Sequence, residues 1–223
     1  MKRSVIIGNG MLAIMLAKYI CQANHTTANH ALECFAVDKE YILANSIDGV
    51  SVVPFEHFFS TYNSGDVSLY MGIGYKKMGK IREEIYIRCK EQGFSFSSYV
   101  HPSAIIFPDI LIGEGNIILE GVIVEAGCNI GNCNLFYGKS MLGHDSQVGN
   151  FNTFSVNATT AGGVMIKSNC FIGASATIKD GITLDDGVFV GAGAYAWSSI
   201  DKNKVVMPAK GYIREDIIST DIY

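Results

Sequence analysis

Residues Ile123 to Gly149 read IVEAGCNIGNCNLFYGKSMLGHDSQVG. An apolar residue returns at every sixth place: Val124, Ile130, Phe136, Leu142 and Val148. Followed outward, the same phase holds Val100, Ile106, Ile112 and Ile118 on one side, then Phe154, Thr160, Ile166, Ile172, Ile178, Leu184 and Val190 on the other. Fifteen of these sixteen positions are apolar, and the exception is Thr160. With 48% of the chain apolar, such a run arises by chance in any of the six phases roughly once in a thousand. Glycine often follows the apolar residue, as at Gly113, Gly131, Gly143, Gly149, Gly173 and Gly191.

A period of six suits neither an α-helix nor an ordinary antiparallel sheet. It suits a solenoid in which each hexad is one short strand and a corner, with three hexads to a triangular coil. Like positions then stack coil on coil, apolar side chains point inside, and glycine at the corner permits backbone angles that other residues resist. The span from Val100 to Val190 holds about five such coils. The rival is a β-sandwich whose spacing is accidental.

Residues 1–97 follow another grammar. Ser4–Ile7 reads as a strand, Gly8-Asn9-Gly10 as a turn, and Met11–Gln22 as a helix. Cys34–Val37, Val52–Pro54 and Ser68–Ile73 read as strands and Met78–Gln92 as an amphipathic helix. Alternating strands and helices predict a small parallel sheet. The organisation expected is an α/β domain over 1–97, a β-helix over 98–200 and a tail over 201–223.

Bulk properties exclude several classes. The net charge is −4 with both signs mixed, so no basic face for nucleic acid is expected. No apolar run reaches the length of a membrane span. The N-terminal MKRSVIIGNGM is broken by Gly8, Asn9 and Gly10 and reads as a strand, not a signal peptide. Cysteines 21, 34, 89, 128, 133 and 170 form no CxxC pair. That predicts reduced, mostly buried thiols and a cytoplasmic protein without a metal site.

The repeat resembles the left-handed β-helix of hexapeptide acyltransferases. Four further features occur in order: Gly8-x-Gly10 opening the α/β domain, HPSA at His101–Ala104, GHDSQVG at Gly143–Gly149, and MPAK at Met207–Lys210. Together they are similar to the bacterial sugar acyltransferases that include UDP-4-amino-sugar N-acetyltransferases and sialic acid O-acetyltransferases. The resemblance covers nearly the whole chain. It implies acetyl-CoA as cosubstrate, a nucleotide-linked amino sugar of the 4-amino-dideoxyhexose type as acceptor, and a role in surface polysaccharide or glycan synthesis. It also implies a homotrimer with sites shared between prisms, and direct attack on the thioester without a covalent enzyme intermediate.

Acyl transfer needs a base near neutral pH, and imidazole suits it. The repeat region holds two histidines, His101 and His144. His101 reads as a cap on the first coil. His144 follows Gly143 at a corner and should project outward. The resemblance makes it the catalytic base, with Asp145 orienting it; a solvated corner aspartate is the alternative for Asp145. Gly162 lies one coil of eighteen residues beyond His144. By resemblance its N–H, beside Gly163, holds the thioester carbonyl as an oxyanion donor; a plain corner glycine is the other reading. Gly173, Gly191 and Lys210 are further acyl-CoA candidates. Between residues 98 and 200 the only cations are Lys139, Lys167 and Lys179. Phosphate contacts are therefore expected from Lys202, Lys204, Lys210 and Arg214, or from a neighbouring subunit.

In the α/β domain, Gly8, Asn9 and Gly10 open a helix whose N–H groups suit a diphosphate. Asp38 ends the next strand, where a carboxylate could meet a ribose or base. The resemblance assigns this domain to the nucleotide of the sugar, with Gly74 and with Arg82 and Lys77 as phosphate partners; both cations could equally be ordinary helix-surface charges. Many relatives carry a histidine shortly after the first glycine, where this chain has Met11, Leu12 and Ala13. Sugar O-acetylation is the nearest rival function. A metal-dependent hydratase would need about three clustered histidines. A non-enzymatic prism is a third class, and NAD-linked oxidation is disfavoured by so short a nucleotide domain.

Overall fold

A computed structural model describes residues 3–23 and 32–211. The tail residues from 212 onward, Arg214 among them, lie outside the described residues. The N-terminal unit is a five-stranded sheet of β1 (Arg3–Ile7), β2 (Leu32–Val37), β3 (Ser46–Ile47), β4 (Val50–Pro54) and β5 (Val67–Met71), ordered β3-β4-β2-β1-β5. Its pairings are parallel except that β3 runs antiparallel to β4, so the sheet is mixed. Helices α1 (Met11–Ala23), α2 (Phe55–Thr61) and α3 (Lys80–Glu91) accompany it. Buried Val5, Ile6, Ile7, Phe35 and Leu69 make the strands nearly apolar throughout, the mark of a sheet covered on both faces.

Three elements differ from expectation. Strand β3 adds an antiparallel edge, and helix α2 stands between the expected strands Val52–Pro54 and Ser68–Ile73, where Pro54 ends β4 and Phe55 and Phe58 are drawn into the core. Helix α3 starts at Lys80 rather than Met78, because Lys77, Met78 and Gly79 are all left-handed, at φ 50°, 54° and 77°.

From Tyr99 the chain winds as a left-handed β-helix of two-residue strands on three parallel faces. The first face runs from Tyr99–Val100 to Val205–Val206, the second from Ile105–Ile106 to Tyr195–Ala196, and the third from Leu111–Ile112 to Thr183–Leu184. The second residue of each strand points inside and the first outside. Val124, Phe136, Leu142, Phe154 and Ile172 are fully buried in one continuous core. Phe136 and Phe154 stack in it at 4.4 Å. The strand Val205–Val206 pairs with Phe189–Val190, so the prism runs past residue 200 and the boundary expected there is corrected.

The corner glycines serve a different end from the one expected. Left-handed φ recurs every sixth residue from Gly115 to Gly193, two places beyond the glycines that follow the apolar positions. Half of these left-handed corners are not glycine, Lys139, Asp145 and Asn157 among them. Gly113, Gly131, Gly143, Gly149 and Gly173 have ordinary φ, and a Cβ on any of them would stand within 3 Å of an atom of the next coil, usually its backbone. They are there for close approach between coils.

The N-terminal unit sits on the first face. Tyr99, Ile117 and Leu135 share a buried cluster with α1 and β2, and Tyr75 packs on Phe171 at 5.3 Å. Arg82, 1% exposed, drives its guanidinium into the junction. It donates to the carbonyls of Gly74 (3.0 Å), Phe151 (2.6 Å) and Asn152 (3.0 Å) and to the Thr153 hydroxyl (3.0 Å). Among the described residues no carboxylate pairs with it, and burial lowers its pKa to about 10. The phosphate role expected of Arg82 is thus corrected: it is spent on joining the two units. Among the described residues no helix is long and apolar enough to cross a membrane.

Candidate active site

His144 stands where the chain turns from the second face to the third. Leu142 points inside, Gly143 is pressed against the Ala161 backbone, and His144 is turned outward with 65% of its side chain exposed. Thr160, the polar break in the ladder, explains the local geometry. Its buried hydroxyl accepts the Gly143 N–H at 2.9 Å, and the strand register here keeps only Met141 opposite Thr159. The coil is held differently at the residue before His144 than elsewhere. The one polar position of the ladder thus falls about one coil from Gly143, the signal in the sequence that marks this corner.

Every polar group of His144 but one is engaged. Its N–H donates to Glu125 Oε2 at 2.9 Å, a partner the sequence did not suggest. Its carbonyl accepts the Gly163 N–H at 2.7 Å. Its Nδ1 lies 2.9 Å from Asp145 Oδ2. Strand neighbours should point apart, but Asp145 is left-handed at φ 56°, which swings its carboxylate back to the ring. A carboxylate there holds the proton on Nδ1 and leaves the Nε2 lone pair free. The hydrogen bond that Nδ1 donates to Asp145, with the charges of Asp145 and Glu125, raises the His144 pKa above the ordinary histidine value.

Nε2 hangs over Gly162, where a Cβ would come within 2.4 Å of it. The space at Gly162 is therefore filled by the imidazole. The Gly162 N–H has no acceptor among the described residues, whereas that of Gly163 is taken by His144. A lone-pair nitrogen and one free N–H thus lie side by side on an exposed edge. Gly162→Ala should push the ring off this edge. Under the acyl-transfer reading proposed below, the expected result is a folded protein that no longer turns over, checked by circular dichroism beside a thiol-release assay; full activity would show that the close approach is unimportant.

Other candidates lie elsewhere. Gly173 and Gly191 occupy the edge between the first and second faces, and their N–H groups donate to Val190 and Val206; one chain does not unite them with His144. His101 lies on that same edge, its Nδ1 2.8 Å from Ser103 Oγ. Lys202 pairs with Asp186 at 3.7 Å, and Lys210 is exposed beyond the last strand. A hollow of about 470 Å³ on the third face, walled by Asn129, Gln147, Met165 and Lys167 among others, does not include His144.

In the N-terminal unit, Gly8 and Gly74 follow the adjacent strands β1 and β5, and Asp38 follows β2, at the carboxyl ends where such sheets bind ligands. Gly8 needs its φ of 108°, while Gly10 and Gly74 face open space. Asn9 donates to the Tyr41 carbonyl at 2.8 Å. The Asp38 carboxylate is clasped by Arg88 at 2.7 and 3.1 Å, so any sugar or base it met would share it with that guanidinium.

The sequence model described as "Hexapeptide repeat of succinyl-transferase" matches residues 163–195. Over that span the chain is similar to the hexapeptide-repeat family. Over 98 residues it is 30% identical to GDP-perosamine N-acetyltransferase of Escherichia coli O157:H7, a match spanning 43% of each chain and so less than half of that relative's length. The fold is shared along nearly the whole chain. The acetyltransferase domain of PglB from Neisseria gonorrhoeae FA1090 superposes with TM-score 0.79 at 20% identity, covering 94% of this chain and all of that one. PerB from Caulobacter crescentus, solved with CoA and GDP-perosamine, gives 0.79 at 24% identity, covering 92% and 93%.

Proposed function

We propose that this protein transfers an acetyl group from acetyl-CoA to the amine of a nucleotide-linked amino sugar. The observation that carries the reading is His144 Nε2 standing beside the free Gly162 N–H. The amine attacks the thioester carbonyl while Nε2 removes its proton. The oxyanion is met by the Gly162 N–H, and collapse expels the CoA thiolate, which takes the proton back from the imidazolium. No enzyme thiol is needed. The cysteine nearest the site, Cys128, is buried, bonded to the Gly143 carbonyl at 3.2 Å, and pushed up in pKa by that burial.

The named activity of the curated relative and the ligands of PerB support this substrate class. Gly8, Gly10 and Gly74 are assigned to the nucleotide. They lie beside the first face, whereas His144 lies on the edge opposite it. The amine held by one chain then meets His144 of another copy, and this geometry favours a homotrimer with shared sites. An exposed imidazole also needs such a neighbour to exclude water. A cytoplasmic enzyme fits its reduced cysteines.

A thiol-release assay with acetyl-CoA and GDP-, UDP- and dTDP-linked 4-amino sugars tests the reading. Turnover with one of these and none with sialic acid is expected. Turnover confined to sialic acid would replace N-acetylation by O-acetylation, and failure to bind CoA by calorimetry would leave a non-enzymatic prism.

A further inference from the structure

Glu125 is the one polar partner of His144 left without a role in acyl transfer. It lies level with Gly143, one coil earlier: Ile123 pairs with Met141 and Val124 with Leu142, and the Glu125 N–H donates to the Leu142 carbonyl at 3.0 Å. Gly143 has no side chain to occupy this level of the edge. The half-buried Glu125 side chain reaches forward across it, and Oε2 accepts the His144 N–H at 2.9 Å.

This bond has no counterpart in the neighbouring coils. Ala126, Gly162 and Asp180 hold the same corner place as His144, and their N–H groups have no acceptor among the described residues. The places equivalent to Glu125 hold Phe107, Gly143, Ala161 and Lys179, none with a side-chain acceptor. The corner therefore forms without such a bond, and what Glu125 adds is specific to the residue it holds. The backbone there needs holding, because glycine precedes the histidine and leaves the chain free to twist. Both ends of the peptide between Gly143 and His144 are taken by the preceding coil, the carbonyl by Cys128 Sγ at 3.2 Å and the N–H by Glu125. The following coil holds the His144 carbonyl through the Gly163 N–H.

Resting on the acyl-transfer reading above, we propose that Glu125 is a positioning residue for the general base: it fixes the peptide that carries His144, so that Nε2 stays over Gly162. Its charge has a second effect. Glu125 makes no ion pair among the described residues, and Asp145 pairs only with the imidazole. The following coil brings no charge to this level, since residues 161–163 are Ala-Gly-Gly. Glu125 and Asp145 are thus the titratable groups that face His144, and both favour its charged form.

Two substitutions separate geometry from charge. Glu125→Gln keeps an oxygen for the N–H and removes the charge, whereas Glu125→Ala removes both. Glu125→Ala should lower kcat about 10–10²-fold, the scale of a misplaced catalytic group, with the KM for acetyl-CoA unmoved. Glu125→Gln should restore most of that kcat and move the acid limb of the pH profile to lower pH. The imidazole titration of His144, followed by NMR, should fall with it. Added to His144→Ala, Glu125→Ala should cost nothing further, because it acts only through the imidazole. A native kcat in Glu125→Ala, or a full further loss in the double variant, would overturn the assignment. Should Glu125→Ala fail to fold, an unmoved pH profile and unmoved His144 titration in Glu125→Gln would overturn it as well. A native protein that turns over none of the amino sugars would instead remove acyl transfer itself.

Discussion

His144→Ala leaves the protein folded and lowers kcat by about 10²–10⁴-fold, the span usual for removal of a general base. Folding is spared because the side chain is largely exposed and, among the described residues, its ring bonds only to Asp145. The KM for acetyl-CoA should change little, since the ring is assigned to proton transfer and not to holding the donor. The pH profile carries a second signature. The active form is neutral imidazole, and Asp145 favours the charged form. Activity should therefore fall, as pH drops, through a midpoint above the ordinary histidine value of about 6.5. Asp145→Asn should move that acid limb to lower pH and reduce the rate, because the Nδ1 proton loses its acceptor. Near-normal turnover of His144→Ala in a steady-state assay would refute the mechanism.

Arg82→Ala should be the most destabilising single change at the domain junction. It strips the donor from four acceptors at once, three of them carbonyls of Gly74, Phe151 and Asn152. Each buried acceptor left unsatisfied costs about 1–3 kcal/mol, and the removed side chain leaves a cavity. With partial relaxation, a loss of about 3–5 kcal/mol is expected, read as a lower midpoint in urea unfolding. The same change frees Gly74, so the KM for the nucleotide sugar should rise well before the donor KM does. A loss below about 1 kcal/mol would mean that water replaces the guanidinium and the junction rests on its apolar contacts alone.

The repeat was legible because a coil of constant length returns each inward position at a constant spacing. The periodicity of Val124, Ile130, Phe136 and Leu142 is the prism core written along the chain. The roles of the corner glycines were not legible. A glycine needed for φ and one needed for close approach look identical until the neighbouring coil is in place. Thr160 stood out in the sequence, but its bond to Gly143 depends on the coil beside it. The Asp145 contact was obscured by the strand rule, which fails where the residue turns left-handed. Arg82 read as a phosphate partner because an arginine on an amphipathic helix is usually solvated. Its carbonyl partners lie some seventy residues on, and no local pattern announces them.

Local order in the chain thus determined the two-part architecture, the inward ladder and the presence of one outward histidine deep in the repeat. These follow from apolar spacing and glycine placement, which act over a few residues. Tertiary structure alone decided which groups meet. It laid His144 over Gly162, turned Asp145 and Glu125 onto it, and buried Arg82 between the units. Each pairing except that with Asp145 joins residues about one coil or more apart, and only the stacking of coils brings such residues within hydrogen-bond reach.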